Sequence, residues 1–162
     1  MQRTDFASID CSIAKTMAVL GESWMALILR DLFIGVSRFE LLNSHLGVSR
    51  KVLTERLGQL VEQGLVERQR YSARPARYDY VLTDKGWDLC DILLAMTAWG
   101  DRWTTGPDGP PATLHHHTCG HITSAVITCS DCGQQLRTQE IDVVPRGSAP
   151  TCHTREGPHG RL

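Results

Sequence analysis

The chain has no long apolar run. Nothing in its 162 residues approaches the length needed to cross a bilayer. Its opening, Met1-Gln2-Arg3-Thr4-Asp5, lacks the basic-then-apolar pattern of a secretory signal, so a cytoplasmic protein with no membrane partner is expected. Neither sign of charge is in excess: 17 Lys and Arg stand against 18 Asp and Glu, a net −1. That excludes a generally basic protein, and any nucleic-acid surface must come from local charge asymmetry. The motifs of common catalysts are missing too, since no P-loop, dinucleotide fingerprint, nucleophile elbow or metalloprotease helix occurs. The polar clusters present are basic or thiol rather than acid–base pairs, and an enzyme is not expected. Six cysteines are an even number, yet a reducing compartment argues against a disulfide framework.

What is present is a hydrophobic fraction of 41%, enough for a core, and a length that suits one ordinary domain plus a small appendage. Composition shifts near Thr104. Residues 1–103 are periodic and helix-rich. Residues 104–112 form a linker punctuated by Pro and Gly, residues 113–144 hold a Cys/His cluster with short strand-like runs, and residues 145–162 are expected to be disordered.

Within the first segment, a helix is expected from Ser12 to Leu20, stopped by Gly21. A second runs from an Ser23 cap to Ile34, with Gly35 at its end, and buries Trp24, Leu27, Ile28 and Leu32. A third opens on Ser37-Arg38-Phe39-Glu40, which has the form of a capping box, and ends before Gly47. Ser49 caps a fourth helix that reaches Gln63, with Gly64 beyond it. Val52, Leu53, Leu57, Leu60 and Val61 make its buried stripe, and Arg50, Lys51, Thr54, Glu55, Gly58 and Gln59 its other side. Strands follow at Leu65–Tyr71 and Tyr78–Leu82, joined by a connector over 72–77. Thr83 or Asp84 caps a last helix to Trp103, whose apolar face of Leu89, Ile92, Leu93, Met96, Trp99 and Trp103 is wider than a helix lying on a small domain needs.

Two helices, a tight turn and then a basic hairpin are the order of a winged helix-turn-helix. The fold class expected is mainly α (α+β): a winged helix-turn-helix with helical dimerisation elements at both ends, plus a small zinc-ribbon-like β unit. In such a module the start of the fourth helix reads the major groove. Ser49, Arg50, Lys51, Thr54 and Arg56 are its candidate contacts, with Arg38 before the third helix. The hairpin adds Arg68, Arg70, Arg74 and Arg77, with no acidic residue between 68 and 77. Such a loop suits backbone or minor-groove contact.

Over roughly Cys11 to Trp103 the chain resembles the HxlR family of bacterial transcriptional regulators. The resemblance rests on Cys11, Gly21, Trp24, Ile28-Leu29-Arg30-Asp31-Leu32, Gly35 and Arg38-Phe39-x-x-Leu42. It continues through Ser49-x-Lys51-x-Leu53-Thr54-x-Arg56-Leu57, Leu60 and Gly64-Leu65-Val66-x-Arg68, and closes on Pro75, Tyr80-x-Leu82-Thr83, Gly86 and Trp99-Gly100. Ser23 departs from it, standing where the family usually has lysine. The resemblance implies a homodimer, packed through its first and last helices, and the wide apolar face of the last helix agrees. A two-fold protein would bind double-stranded DNA at an inverted repeat, as a repressor. The resemblance also makes Cys11 a candidate oxidant sensor. A helix N-terminus and Lys15 would favour its thiolate, while the alternative is a small cysteine with a packing role. A small-molecule or oxidant effector is a further expected partner.

In the C-terminal segment, His116-His117-Thr118-Cys119-Gly120 and Cys129-Ser130-Asp131-Cys132-Gly133 share the form ligand-x-x-Cys-Gly. Two such knuckles make a tetrahedral site, and zinc in a structural role is expected on His116, Cys119, Cys129 and Cys132. His115, His117 and His121 remain alternatives for the fourth ligand, and a Cys129–Cys132 redox dithiol or three free thiols are the alternatives to metal. A regulator in which this cluster or Cys11 is the metal or redox input is the competing function.

Overall fold

Glycine and serine set several of the helix limits in the computed structural model, which describes residues 6–144. Those residues hold five α-helices and two small antiparallel sheets, an α+β fold. They fall into two compact units that divide between Gly100 and Asp101. The tail expected to be disordered, 145–162, lies outside the described residues.

In the first unit, α1 spans Ser12–Leu20, α2 Met25–Phe33, α3 Phe39–Leu46 and α4 Arg50–Glu62. Gly47 ends α3 at φ 63°, and Gly64 follows α4 at φ 68°. Both occupy the left-handed region that glycine enters without steric cost. The Ser49 hydroxyl accepts the amide of Val52, capping α4 as expected. The turn between α3 and α4 is braced by the Asn43 side-chain amide, which donates to the Val48 carbonyl.

Two caps differ from expectation. Helix α2 starts later, because Trp24 is its N-cap residue and sits in the left-handed region at φ 77°. Ser23 therefore makes no cap. A bulky residue there carries strain of about 1–3 kcal/mol, offset by packing of the half-buried indole on the core. At α3 no capping box forms. Arg38 is the N-cap residue without a side-chain cap bond. The Ser37 hydroxyl instead donates to Asp79 at 3.0 Å, and Glu40 is taken by Arg50.

The core lies where α2, α3 and α4 meet. Met25, Ile28, Leu29, Leu42, Leu53 and Leu60 are fully buried, with Leu57, Leu65 and Val66 close to it. Each such side chain contributes about 1.5–3 kcal/mol. Of the expected stripe on α4, Val52 and Val61 are only half-buried. Leu27, expected inside α2, is exposed. Asp31 is the one fully buried charged side chain among the described residues. Its two oxygens are held by Arg30 at 2.6 Å and by Nδ1 of His45 at 2.7 Å, which ties α2 to the end of α3.

The hairpin is longer and tighter than expected. Strand β1 covers Val66–Ala73 and β2 covers Ala76–Leu82, with Val66 opposite Leu82 and Ala73 opposite Ala76. Only Arg74 and Pro75 remain at the tip, and the register shifts between Arg70 and Ser72. The longer connector expected over 72–77 is therefore mostly strand. Helix α5, Asp84–Trp103, begins where the Thr83 hydroxyl accepts the Gly86 amide and donates to the Gly64 carbonyl. A Cβ on Gly86 would overlap the Leu65 carbonyl oxygen, so only glycine lets α5 start this close to the hairpin base. Among the described residues no single helix is long and apolar enough to cross a membrane.

The second unit contains two small hairpins of one design. In the first, β3 (Leu114–His115) pairs with β4 (Ile122–Thr123), Leu114 opposite Thr123 and His115 opposite Ile122. Its turn is closed by Gly120 N–H donating to the His116 carbonyl (2.7 Å) and by His116 N–H donating to the His121 carbonyl (3.0 Å). In the second, Gly133 N–H donates to the Cys129 carbonyl (2.9 Å) and Cys129 N–H to the Gln134 carbonyl (2.8 Å). Thr128 bridges Gln135, and Leu136 N–H reaches the Ile127 carbonyl. Gly120 and Gly133 have φ of 71° and 72°. Every one of these bonds in the second hairpin falls thirteen residues after a counterpart pairing in the first.

Candidate nucleic-acid interface

Helix α4 turns its apolar side to the core, which leaves Arg50, Lys51 and Thr54 exposed at its N-terminal end. The free amides of that end and the outward side chains are the groups a groove-reading helix presents. The hairpin stands beside them. Between the two lies a cleft of about 670 Å³, lined from the helix-turn-helix side by Arg38, Arg50 and Thr54 and from the hairpin by Tyr71, Arg77 and Tyr78. Four of the expected DNA contacts, Arg38, Arg50, Thr54 and Arg77, thus border one cavity.

Each side chain is held in a defined way. Arg50 makes two bonds to the Glu40 carboxylate, at 2.6 and 2.8 Å, with its guanidinium 4.8 Å from the Phe39 ring centre. The bonded guanidinium holds the Glu40 carboxyl below its usual range, and the carboxylate raises Arg50 in turn. Arg38 lies 3.5 Å from Asp79 and stacks over Tyr71 at 4.8 Å. The Thr54 hydroxyl bonds back to the Arg50 carbonyl at 2.8 Å. Ser49 is exposed, its hydroxyl occupied by the Val52 amide. Lys51, Arg74 and Arg77 are exposed and make no ion pair among the described residues.

Two expected contacts are placed otherwise. Arg56 is engaged with the loop before α2: its guanidinium bonds the Ser23 carbonyl at 3.1 Å and lies 3.3 Å from Glu22, with only 18% of its side chain exposed. Arg70 donates to the Ser72 and Ala73 carbonyls and so stiffens its own strand. Conversely, neither Tyr71 and Tyr78 nor Asp79 is expected in this cleft from sequence, and Glu40, which binds Arg50, is expected only as part of a helix cap. The register that sets Asp79 opposite Gln69 and bridges it to Arg38 is a pairing no local pattern reveals.

Cys11 is exposed at the N-cap of α1, without a side-chain cap bond. Lys15, expected to assist it, pairs with Asp10 at 3.0 Å. Cys90 is buried, and burial with Asp91 nearby pushes its thiol up. In the C-terminal hairpins, Nδ1 of His116 lies 3.3 Å from the Cys119 sulfur. Backbone amides of Cys132 and Asp131, with the Cys132 side chain, hold the Cys129 thiol below its ordinary value. Among the described residues no three His, Cys, Asp or Glu are gathered closely enough to hold a metal ion. The expected four-ligand set is thus present as two separate pairs.

Comparison with known proteins agrees with the first unit. A family model described as HxlR-like helix-turn-helix matches residues 19–107. The chain is 40% identical over 134 residues to Rv3095, an uncharacterised HTH-type transcriptional regulator of Mycobacterium tuberculosis; the match covers 83% of this chain and 85% of the relative. It is similar to the crystal structure of PA1607, a proposed transcription factor, with 30% identity, a TM-score of 0.77, and coverage of 88% of this chain and 99% of that one. It is also similar to the reduced form of the transcriptional regulator YodB from Bacillus subtilis, at 33% identity and a TM-score of 0.51, over 59% of this chain and 96% of YodB.

Proposed function

The chain belongs to the HxlR-like helix-turn-helix family and is an HTH-type transcriptional regulator; from that premise we propose that it acts in the cytoplasm as a homodimeric repressor that occupies an inverted repeat. In this reading α4 enters the major groove, with Lys51 and Thr54 reading base edges and Ser49 near a phosphate. Arg74 and Arg77 of the hairpin hold the flanking backbone or minor groove. Arg38 and Arg50 meet phosphates at the cleft between the two. The single observation carrying the proposal is that cleft, to which both the helix-turn-helix and the hairpin contribute cations. The dimer is supported by α1, which has no buried residue, and by α5, whose Ile92, Met96 and Trp99 are exposed at 39%, 51% and 63%. Apolar side chains at that helical spacing suit a partner copy.

Fragments selected from genomic DNA supply the test. With a selected site, Arg74→Ala with Arg77→Ala is expected to weaken binding to all sequences alike and to reduce the salt slope by roughly two, since each phosphate contact contributes about 0.9. Lys51→Ala and Thr54→Ala instead relax sequence choice. Unchanged affinity and slope in the doubly substituted hairpin would overturn the reading.

A second reading adds an oxidant input at Cys11. Its support is the exposure of that thiol at the start of α1 and the similarity to YodB, which is described in a reduced form. Peroxide is then expected to release DNA from the unaltered chain and not from Cys11→Ser.

A further inference from the structure

The two C-terminal hairpins are too small to hold themselves. Their paired strands are two residues long at most. None of residues 113–144 is buried, and Ile122, Val126 and Ile127 are 66%, 59% and 63% exposed. An isolated hairpin is marginal in water, and small units without a core need a staple. Each hairpin nevertheless closes the same turn, with the same two backbone bonds and a left-handed glycine directly after a cysteine. The structural equivalence also selects among the histidines. His116 occupies the position that Cys129 occupies in the second turn, since each accepts from the glycine four residues on and donates to the carbonyl five residues on. Each turn therefore presents two ligand-type side chains, His116 with Cys119 and Cys129 with Cys132.

The geometry points to a metal centre divided into two preformed halves: His116 and Cys119 from one turn, Cys129 and Cys132 from the other, closing on one zinc ion. The donors fit. The His116 nitrogen to Cys119 sulfur distance is 3.3 Å, and the corresponding edge of a zinc tetrahedron, with Zn–N near 2.0 Å and Zn–S near 2.3 Å, is about 3.5 Å. Three soft sulfurs with one imidazole select zinc over hard cations. No three of these side chains are gathered together among the described residues, and residues 124–126, which belong to neither hairpin, are the joint on which the two halves would fold together. On binding, the three thiols give their protons to solvent, and the binding energy becomes folding energy of the unit. All four positions are filled by protein, so the centre is structural and offers no open site for catalysis.

The full-length chain, purified without chelator under reductant, is expected to carry one zinc per chain by elemental analysis. Cobalt in its place is expected to give the visible bands of a tetrahedral site together with thiolate-to-metal charge transfer. His116→Ala and Cys132→Ser should each lower zinc affinity at least tenfold against a chromophoric chelator, whereas His115→Ala and His117→Ala leave it unchanged. Helical circular dichroism of each variant checks that the winged-helix unit is intact. A chain that holds no zinc after reconstitution, stoichiometric iron in its place, a Cys129–Cys132 disulfide persisting under reductant, or zinc retained by the His116→Ala, Cys129→Ser double variant overturns the assignment. The cobalt spectrum of the unaltered chain decides the matter even if a variant fails to fold.

Discussion

Arg50 grips Glu40 through Nη1 and Nη2, the two terminal nitrogens of its guanidinium, at 2.6 and 2.8 Å, across the turn of the helix-turn-helix. The first side chain of α4, the helix proposed to read DNA, is thus committed to a carboxylate within the protein. A phosphate approaching the cleft competes with Glu40 for the same donors.

Replacing that carboxylate with an amide removes the competitor. Glu40→Gln is expected to raise affinity for non-specific DNA several-fold at low salt and to steepen the salt slope by about one phosphate contact. The gain should vanish in Glu40→Gln with Arg50→Ala, as read by fluorescence anisotropy. Because Arg50 lowers the Glu40 carboxyl, the pair is fully formed above the ordinary carboxylate range and is lost as pH falls through the lowered value. Binding by the unaltered protein should therefore show no step from Glu40 between about pH 6 and 8.

The buried Asp31 has two partners, Arg30 and His45, which are each about half exposed. Removing either alone leaves the carboxylate one partner, and a loss of about 1 kcal/mol is expected. Removing both leaves an unpaired buried charge, and the double substitution to alanine should cost about 3 kcal/mol. Urea denaturation reads both, and simple additivity would show that the carboxylate finds another partner.

Gly86→Ala forces a Cβ into the Leu65 carbonyl at the root of the hairpin. Overpacking of this kind costs about 1–3 kcal/mol. The thermal midpoint should fall by several degrees, while Gly58→Ala, where a Cβ meets open space on the outer side of α4, should leave it unchanged or raised.

Met96→Glu with Trp99→Glu places charge on the exposed face of α5. The pair is expected to yield monomers by sedimentation, with helical content kept and binding to the full inverted repeat reduced to that of a half-site. A protein that remains dimeric would move the interface elsewhere.

Local chemistry made much of this fold legible in the sequence. Gly47, Gly64 and Ser49 announce their turns because the conformation or bond they supply lies within four residues. Ser37, Glu40 and Arg56 misled for the opposite reason. Ser37 meets Asp79, 42 positions away, Glu40 meets Arg50, and Arg56 meets the carbonyl of Ser23, 33 positions away. A side chain suited to a nearby cap or to DNA is recruited by a partner that only tertiary packing brings close. Trp24 was opaque because nothing local marks an aromatic residue for a left-handed backbone. The cations of the candidate interface are visible as composition, whereas the partners that aim them, Glu40 for Arg50 and Asp79 with Tyr71 for Arg38, are set by tertiary packing.

The thirteen-residue correspondence between the C-terminal hairpins carries a rule about length. An inserted residue inside either loop would displace a donor by one position and break the match between the halves. Extra residues between Ser124 and Ile127 would leave each half intact, because no hairpin pairing runs through that stretch. Divergent versions of this segment are thus free to vary in the spacer and bound to keep the two loops at one size.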